Sequence, residues 1–209
     1  MRMKSIYSAF AAALFLSAPL LAKTQPADAV APRPGYLAPD FTLSDAAGKS
    51  HTLSAYRGKW VVLEWVNYDC PFVKKHYSSG NMQKHQKAAR EKGAVWLSIN
   101  SSAPGKQGHY EGEELKMRLE GAEGQGDAYL LDTDGKAGKS YKAKTTPHMF
   151  VIDPAGKVVY AGAIDDRPTI DKADLKDAEN YVAAALEAGM AGKPVKTASS
   201  TAYGCGIKY

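Results

Sequence analysis

One stretch of sequence decides the fold: Lys59-Trp60-Val61-Val62-Leu63-Glu64-Trp65-Val66-Asn67-Tyr68-Asp69-Cys70-Pro71-Phe72-Val73. Its first half is a nearly continuous apolar run rich in β-branched and aromatic residues, which is typical of a strand covered on both faces of a parallel sheet. Pro71 suits the first position of a helix, where no backbone donor is needed, so Asp69 or Cys70 is expected to cap that helix. The composition predicts helix from Phe72 to about Glu91, loosened or kinked at 78–81. A cysteine therefore stands where a buried strand becomes a helix.

The position of Cys70 favours the reactive form of its thiol. The N-terminus of a helix offers unpaired backbone N–H groups and the positive end of the dipole, and both stabilise a thiolate. The thiolate is the nucleophilic form of cysteine. Lys74 and Lys75, one turn later, would add positive potential if they leaned back toward the terminus. The alternative is a buried, inert cysteine that packs as a small apolar side chain. The strand-to-helix switch and Pro71 favour the reactive thiol.

The N-terminus predicts export. A short basic start, Met1–Lys4, precedes an apolar stretch from Ile6 to Leu21. This stretch is too short for a membrane span and lacks a stop-transfer flank, so residues 1–29 are interpreted as a signal peptide and the start of a tether. An uncleaved anchor is the alternative. Export places the mature protein in an oxidising compartment, which we expect to be the bacterial periplasm, with no stable membrane insertion after cleavage.

The remaining chain predicts one domain over residues 36–190 and a C-terminal tail over 191–209. The formal charge is +5, but the lysines are scattered and no basic and aromatic residues interleave, which argues against nucleic-acid binding. Strands alternate with helices until an antiparallel hairpin and a last helix at about 172–188. This order predicts an α/β fold with a central mixed sheet flanked by helices. Strands are expected at 41–43, 51–53, 94–100, 128–131, 148–152 and 157–161, and shorter helical segments near 113–119 and 138–142.

Three motifs in order give the chain a family resemblance. They are Leu37-Ala38-Pro39-Asp40-Phe41-Thr42-Leu43 with Gly58-Lys59-Trp60-Val61-Val62, then Asn67-Tyr68-Asp69-Cys70-Pro71-Phe72-Val73-Lys74, and finally Thr145-Thr146-Pro147 before a strand. Over residues 36–188 the chain resembles the thioredoxin superfamily, in its redoxin or peroxiredoxin-like branch related to alkyl hydroperoxide reductases. The resemblance implies a thioredoxin-like fold with an N-terminal hairpin. It also implies that Cys70 is the active-site cysteine, that Pro147 is cis, and that the backbone of Thr146 pairs with a substrate chain. A trans-proline that starts a strand is the alternative for Pro147.

Glu64 is a carboxylate inside an apolar strand. Burying a carboxylate costs free energy unless it has a polar partner, so an unpaired one indicates a functional role. It lies six residues before Cys70, where thioredoxins carry a buried acid that moves a proton for the active-site sulfur. One hypothesis is a proton relay with a raised pKa. The other is a structural carboxylate that pairs with a lysine or lies at a wet strand edge.

The chain also departs from the family pattern. Val73 stands where dithiol enzymes carry a second cysteine, and Asn67 stands where peroxiredoxins carry a threonine or serine. The missing hydroxyl puts peroxide reduction in doubt, although the amide of Asn67 or the cation of Arg167 could replace it. His148 follows Pro147 directly and is a candidate proton donor or substrate contact.

Cys205 is the second cysteine, and small residues around it predict a flexible, accessible backbone. An extended tail spans up to about 3.3–3.6 Å per residue, so it can fold back to Cys70. Three roles stay open for Cys205. It can resolve an oxidised Cys70, form a permanent disulfide with it, or pair with another chain.

These observations predict an exported thiol-dependent oxidoreductase of redoxin type, an antioxidant class. Cys70, Cys205 and Glu64 are its expected catalytic residues, and Thr146, Pro147, His148 and Asn67 its expected substrate contacts. The expected partners are a protein or small-molecule disulfide, or a peroxide, together with an external thiol reductant. No cofactor and no metal are expected, because a copper site would need another thiol in the active-site loop. The competing hypothesis is a non-catalytic binding protein with a structural Cys70–Cys205 disulfide.

Overall fold

The computed structural model describes residues 32–209, so the predicted signal peptide lies outside the described residues. The strands are β1 Thr42–Asp45, β2 Ser50–Thr52, β3 Val61–Trp65, β4 Val95–Asn100, β5 Ala128–Leu131, β6 Thr145–Thr146, β7 His148–Ile152, β8 Val158–Gly162 and β9 Cys205–Gly206. A seven-stranded sheet has the order β2-β1-β5-β4-β3-β7-β8, and a separate two-stranded sheet joins β6 to β9. The helices are α1 Pro71–Tyr77, α2 Asn81–Glu91, α3 Gly112–Ala122, α4 Lys136–Ser140 and α5 Tyr181–Met190.

The strand expected to be buried on both faces is the centre of the large sheet. β3 runs parallel to β4 and antiparallel to β7, and all five of its residues are buried. β4 continues parallel to β5, while β1 and β2 form the expected N-terminal hairpin. Parallel and antiparallel pairs in one sheet confirm the predicted mixed α/β architecture.

Two helices differ from the sequence prediction. The helix expected from Phe72 to about Glu91 is divided into two helices at the predicted kink over 78–81, because Gly80 between them has a left-handed φ of 74°. The helix expected over 172–188 is also divided. Residues Lys172–Asp177 form a 3-10 helix, and α5 begins only after Asn180, whose side chain accepts a hydrogen bond from the backbone N–H of Ala183. An Asn cap of this kind satisfies one free donor of the first turn and so starts a new helix.

Alternation along the strands divides the core between the two faces of the sheet. Val62 and Val66 belong to the core that includes Cys70 and residues of α1, α2, α3 and α5. Leu63 and Trp65 belong to the opposite core, with residues of α4 and the N-terminal hairpin region. Side chains two apart on a strand share a face, so Glu64 lies on the Cys70 face of β3. Among residues 32–209, no helix has the length and apolar character needed to cross a membrane.

Candidate active site

Cys70 is the N-cap residue of α1, one of the two residues expected there. Its side chain has no exposed surface, and its Sγ donates a hydrogen bond to the carbonyl oxygen of Thr146 over 3.0 Å. It makes no side-chain capping bond to the helix amides. Lys75 does not lean back toward the cysteine: it is buried, and its Nζ donates to the carbonyl of Arg167 over 2.7 Å. The cysteine therefore lies at a helix N-terminus as expected, but its closest polar partner is a distant backbone carbonyl.

Thr146 brings the two cysteines together. The Thr146–Pro147 peptide bond is cis. Thr146 lies in β6 and pairs with Cys205 of β9, while its carbonyl accepts the Cys70 thiol. Its own Oγ1 is buried without a hydrogen-bond partner in the described part of the chain. The backbone edge expected to bind a substrate chain is thus occupied by the chain's own C-terminus.

Cys205 is held in a strand, which corrects the expectation of a flexible, accessible segment. It is partly buried and packs against the core that contains Cys70, and both cysteines are free thiols. Burial is the largest cause that raises the pKa of Cys205 to about 11, and a hydrogen bond to Cys70 and the charge of Cys70 add to it. Lys208 acts in the opposite direction. The two thiols are therefore close enough for Cys70 to affect the protonation of Cys205.

Glu64 is fully buried and accepts hydrogen bonds from four neutral side chains. Its Oε2 accepts from Trp96 Nε1 at 2.8 Å, from Ser98 Oγ at 2.9 Å and from Gln86 Nε2 at 3.2 Å. Its Oε1 accepts from the Tyr77 hydroxyl at 2.9 Å. Burial raises the pKa of Glu64, and these donors oppose the rise. Neither form of the structural alternative is found, because the carboxyl pairs with no lysine of residues 32–209 and lies in the central strand rather than at an edge.

Asn67 organises the loop before Cys70. Its Nδ2 donates to the carbonyl of Gln107 over 3.3 Å, and its Oδ1 accepts from the Asp69 N–H at 2.9 Å and the Tyr110 hydroxyl at 3.2 Å. Gly108 packs directly against this amide. Both polar ends of the Asn67 side chain thus serve internal contacts, and the amide is not free to orient a peroxide.

His148 lies on the other face of the sheet from Cys70, and Arg167 has polar partners of its own. The His148 ring lies 4.7 Å from that of Phe150, which belongs to the core on the other face of the sheet from Cys70. Burial lowers the pKa of His148 to about 4. Arg167 donates to the carbonyl of Asp177 and pairs with Asp166 at 3.4 Å. Strand alternation therefore contradicts the expected approach of His148 to Cys70, while the polar contacts of Arg167 lie with Asp166 and Asp177.

A buried polar cluster beside the tail was not found from the sequence. It joins His76 of α1 and Asp165, which follows β8, to Tyr203, and both His76 and Asp165 are buried. One sequence feature could have indicated this cluster: Tyr203 and Cys205 are two residues apart, which places both side chains on one face of an extended segment. No group of His, Cys, Asp or Glu suited to hold a metal ion occurs within residues 32–209.

Comparisons with known proteins indicate the family and the fold of the chain. A family model described as the AhpC/TSA family matches residues 34–161. The thiol-disulfide oxidoreductase ResA of Bacillus subtilis (strain 168) is 30% identical over 123 residues, which are 58% of this chain and 63% of that protein. The match therefore covers less than two thirds of the length of ResA.

Solved structures confirm the thioredoxin-like fold. A hypothetical protein from Sinorhizobium meliloti 1021 superposes with a TM-score of 0.69 at 27% identity, covering 87% of this chain and 96% of that one. The thioredoxin domain of a thiol-disulfide oxidoreductase from Bacteroides vulgatus gives a TM-score of 0.51 at 22% identity, over 69% of this chain and 95% of that one. The second likeness shows the fold alone.

Proposed function

We propose that this chain, which belongs to the AhpC/TSA family, is a thiol-dependent oxidoreductase that reduces disulfides with Cys70 as nucleophile and Cys205 as resolving thiol. One observation carries the proposal: two free thiols converge on Thr146. The Cys70 thiol donates to its carbonyl at 3.0 Å, and Cys205 is its partner in the β6–β9 pair. A pair of adjacent thiols can donate the two electrons that reduction of a substrate disulfide requires, and the pair becomes a disulfide in turn.

In the first step the Cys70 thiolate attacks one sulfur of the substrate disulfide. A bond forms between Cys70 Sγ and that sulfur, the substrate S–S bond breaks, and the other substrate sulfur leaves as a thiolate and takes up a proton. Cys70 is the N-cap residue of α1, so the positive end of the helix dipole lies beside the attacking sulfur.

In the second step the Cys205 thiolate attacks Cys70 Sγ. The Cys70–Cys205 disulfide forms, and the remaining substrate sulfur leaves as a thiolate, so the substrate ends as a dithiol. Once Cys70 is in a mixed disulfide, it no longer carries the charge that helps to raise the pKa of Cys205. The part of the rise in the pKa of Cys205 that Cys70 causes is then removed, while the larger part caused by burial remains. Reaction of Cys70 therefore makes Cys205 easier to deprotonate.

Glu64 is proposed as the proton relay for these steps. Burial raises its pKa, so the carboxyl holds a proton at a higher pH than an exposed glutamate does. It lies on the face of β3 that carries the Cys70 core, and Tyr77 of α1 donates to it. An external dithiol reductant then reduces the Cys70–Cys205 disulfide and closes the cycle.

Disulfide exchange is favoured over peroxide reduction by the surroundings of Cys70. Peroxide reduction needs a donor aimed at the reacting oxygens, and the two candidates, Asn67 and Arg167, are engaged elsewhere. ResA, the relative at 30% identity, is a thiol-disulfide oxidoreductase. Export to the periplasm is part of the proposal and rests on the predicted signal peptide, which precedes the described residues.

The test is Cys70→Ser assayed with a protein disulfide and with hydrogen peroxide under a dithiol reductant. The expected result is loss of protein-disulfide reduction, because the attacking sulfur is absent. Unchanged activity in both assays, with only a lower melting temperature, would instead identify Cys70 as a structural residue of a binding protein.

A further inference from the structure

The Cys70 site is closed in this structure. A nucleophilic cysteine must be reached by its substrate, yet the side chain of Cys70 has no exposed surface. Residues 203–207, called here the resident strand, pack on this site: Tyr203 and Cys205 both contact the core that contains Cys70. A disulfide can reach Cys70 only if some part of this covering moves.

The resident strand binds through its backbone to the edge beside the cysteine. Gly206 pairs with Thr145, and Cys205 pairs with Thr146, in antiparallel register. The N–H of Ile207 also donates to the carbonyl of Lys144 at 3.1 Å. An extended polypeptide that bound the same edge would need the same backbone groups, so the resident strand and such a polypeptide exclude each other.

Gly204 makes this close approach feasible. Its φ is +137°, a conformation that side chains rarely adopt, and a Cβ at this position would collide with the carbonyl oxygen of Thr146. The same carbonyl accepts the Cys70 thiol. Any larger residue at position 204 is therefore expected to lift the strand from β6.

A polar latch holds the N-terminal end of the resident strand. The Tyr203 hydroxyl donates to the Asp165 carboxylate, and His76 Nε2 lies 3.4 Å from the same hydroxyl. Asn81 Nδ2 donates to His76 Nδ1 at 2.8 Å, so in the neutral ring Nε2 carries the proton and points at Tyr203. Burial, with the charge of Lys75, lowers the pKa of His76 to about 3, which keeps the ring neutral. The hydrogen bonds therefore run from Asn81 through His76 and Tyr203 to Asp165.

The Tyr203 ring is also packed. It lies 5.8 Å from the Phe72 ring, and Lys75 Nζ lies 5.5 Å from its centre. Asp165 and His76 are buried, whereas Tyr203 is only partly buried. The tyrosine is therefore the member of this cluster with the least covering.

We propose that the resident strand closes Cys70 to extended polypeptide, and that the Tyr203–Asp165–His76 latch holds it closed. The inference rests on the proposed function in taking Cys70 as the nucleophile. A protein disulfide gains access when the strand leaves β6, and return of the strand brings Cys205 back to resolve the mixed disulfide. Tyr203 is thus a positioning residue for Cys205 and for access to Cys70.

The test measures the alkylation rate of Cys70 by iodoacetamide in a Cys205→Ser background, where it is the sole thiol of the chain. Tyr203→Phe keeps the ring and removes the hydroxyl, and Gly204→Ala adds the colliding Cβ. Each is expected to raise the rate about tenfold or more, since a hydrogen bond to a charged group is lost or the β6 pairing is broken. Gly192→Ala is the matched control, because Gly192 also has a positive φ of 68° but a Cβ there meets nothing.

A synthetic peptide with the sequence of residues 202–209, carrying Ser in place of Cys205, is then added to the Gly204→Ala variant. It is expected to slow alkylation again, whereas the same peptide with Ala in place of Gly204 is not. Unchanged alkylation in both variants would overturn the proposal. The proposal would also be overturned if the alkylation rate rose together with a lower thermal stability of the whole domain and the peptide did not reduce it. Alkylation requires no turnover. If the variants changed the alkylation rate as expected but the wild-type protein reduced no disulfide, the proposed function would be refuted and the closure of Cys70 by the resident strand would stand.

Discussion

Replacing Glu64 by Gln tests whether the buried carboxyl holds its proton in the folded protein. The glutamine oxygen can take the place of Oε2 and keep the hydrogen bonds from Trp96, Ser98 and Gln86. Its amide nitrogen then faces the Tyr77 hydroxyl, which can accept a hydrogen bond. A protonated Glu64 must also donate its proton, as the glutamine amide does, so in acid the free energies of unfolding of the two proteins should agree to within about 1 kcal/mol. Glu64→Ala should cost about 3 kcal/mol or more, because it leaves several buried donors unpaired.

The pH dependence gives the sharper expectation. Burial raises the pKa of Glu64 above its ordinary value of 4.5, so the folded state binds this proton more tightly than the unfolded state does. The stability that this provides is complete below the ordinary pKa and is lost as the pH rises through the folded pKa. Over that window wild-type protein should lose about 1.4 kcal/mol per pH unit relative to Glu64→Gln. The stability of the variant is therefore close to that of wild type in acid and gains on it as the pH rises.

The assay is urea unfolding of both proteins from about pH 4 to about pH 8, with the difference in unfolding free energy plotted against pH. Subtraction removes the titration of groups that both proteins share. Glu120→Gln, a change at an exposed glutamate of α3, is the matched control and should give a flat difference. A flat difference for Glu64→Gln would refute the reasoning, and a difference that grows with pH in favour of wild type would show a lowered pKa instead.

Two further predictions concern neighbouring groups. Burial, a hydrogen bond to Cys70 and the charge of Cys70 together raise the pKa of Cys205 to about 11, so Cys70→Ala should lower that pKa. The rate of Cys205 alkylation, followed against pH, measures it. An unchanged pH profile would contradict an effect of Cys70 on Cys205. Tyr77→Phe removes the 2.9 Å donor to Glu64, so it should cost about 1 kcal/mol in urea unfolding and raise the pKa of Glu64 further. That rise should extend the pH-dependent loss of stability to higher pH, and a shift to lower pH would contradict it.

The sequence predicted the sheet and the place of Cys70 because both depend on local signals. An apolar β-branched run indicates a buried strand, and a proline directly after Cys70 indicates the first turn of a helix. The hairpin of β1 and β2 follows from a short turn between two strand-like segments. These signals lie within about ten residues of the feature that they predict, which is the range over which turn and helix chemistry acts.

The contacts of the site could not be predicted because they join distant parts of the chain. The Cys70 thiol and its acceptor Thr146 are 76 residues apart, and His76 and Tyr203 are 127 residues apart. His148 was misplaced for a different reason. It is adjacent to Pro147 in sequence, but neighbouring side chains on a strand point to opposite faces of the sheet.

The tail shows how composition alone misleads. Glycines around Cys205 predicted a flexible segment, yet Gly204 is required there because its lack of a side chain permits close contact with Thr146. A glycine can mark freedom or close approach, and only the partner surface distinguishes the two. That surface comes from α1, β6 and the loop after β8.

The most direct measurement is the mass of the covalent species formed when stoichiometric protein disulfide is added and the reaction is quenched with acid. Wild-type protein should yield a Cys70–Cys205 bridge and a reduced substrate. Cys205→Ser should stop at a mixed disulfide that peptide mapping locates on Cys70. A mixed disulfide on Cys205 in Cys70→Ser, or no adduct in Cys205→Ser, would contradict the assignment of attack to Cys70 and resolution to Cys205.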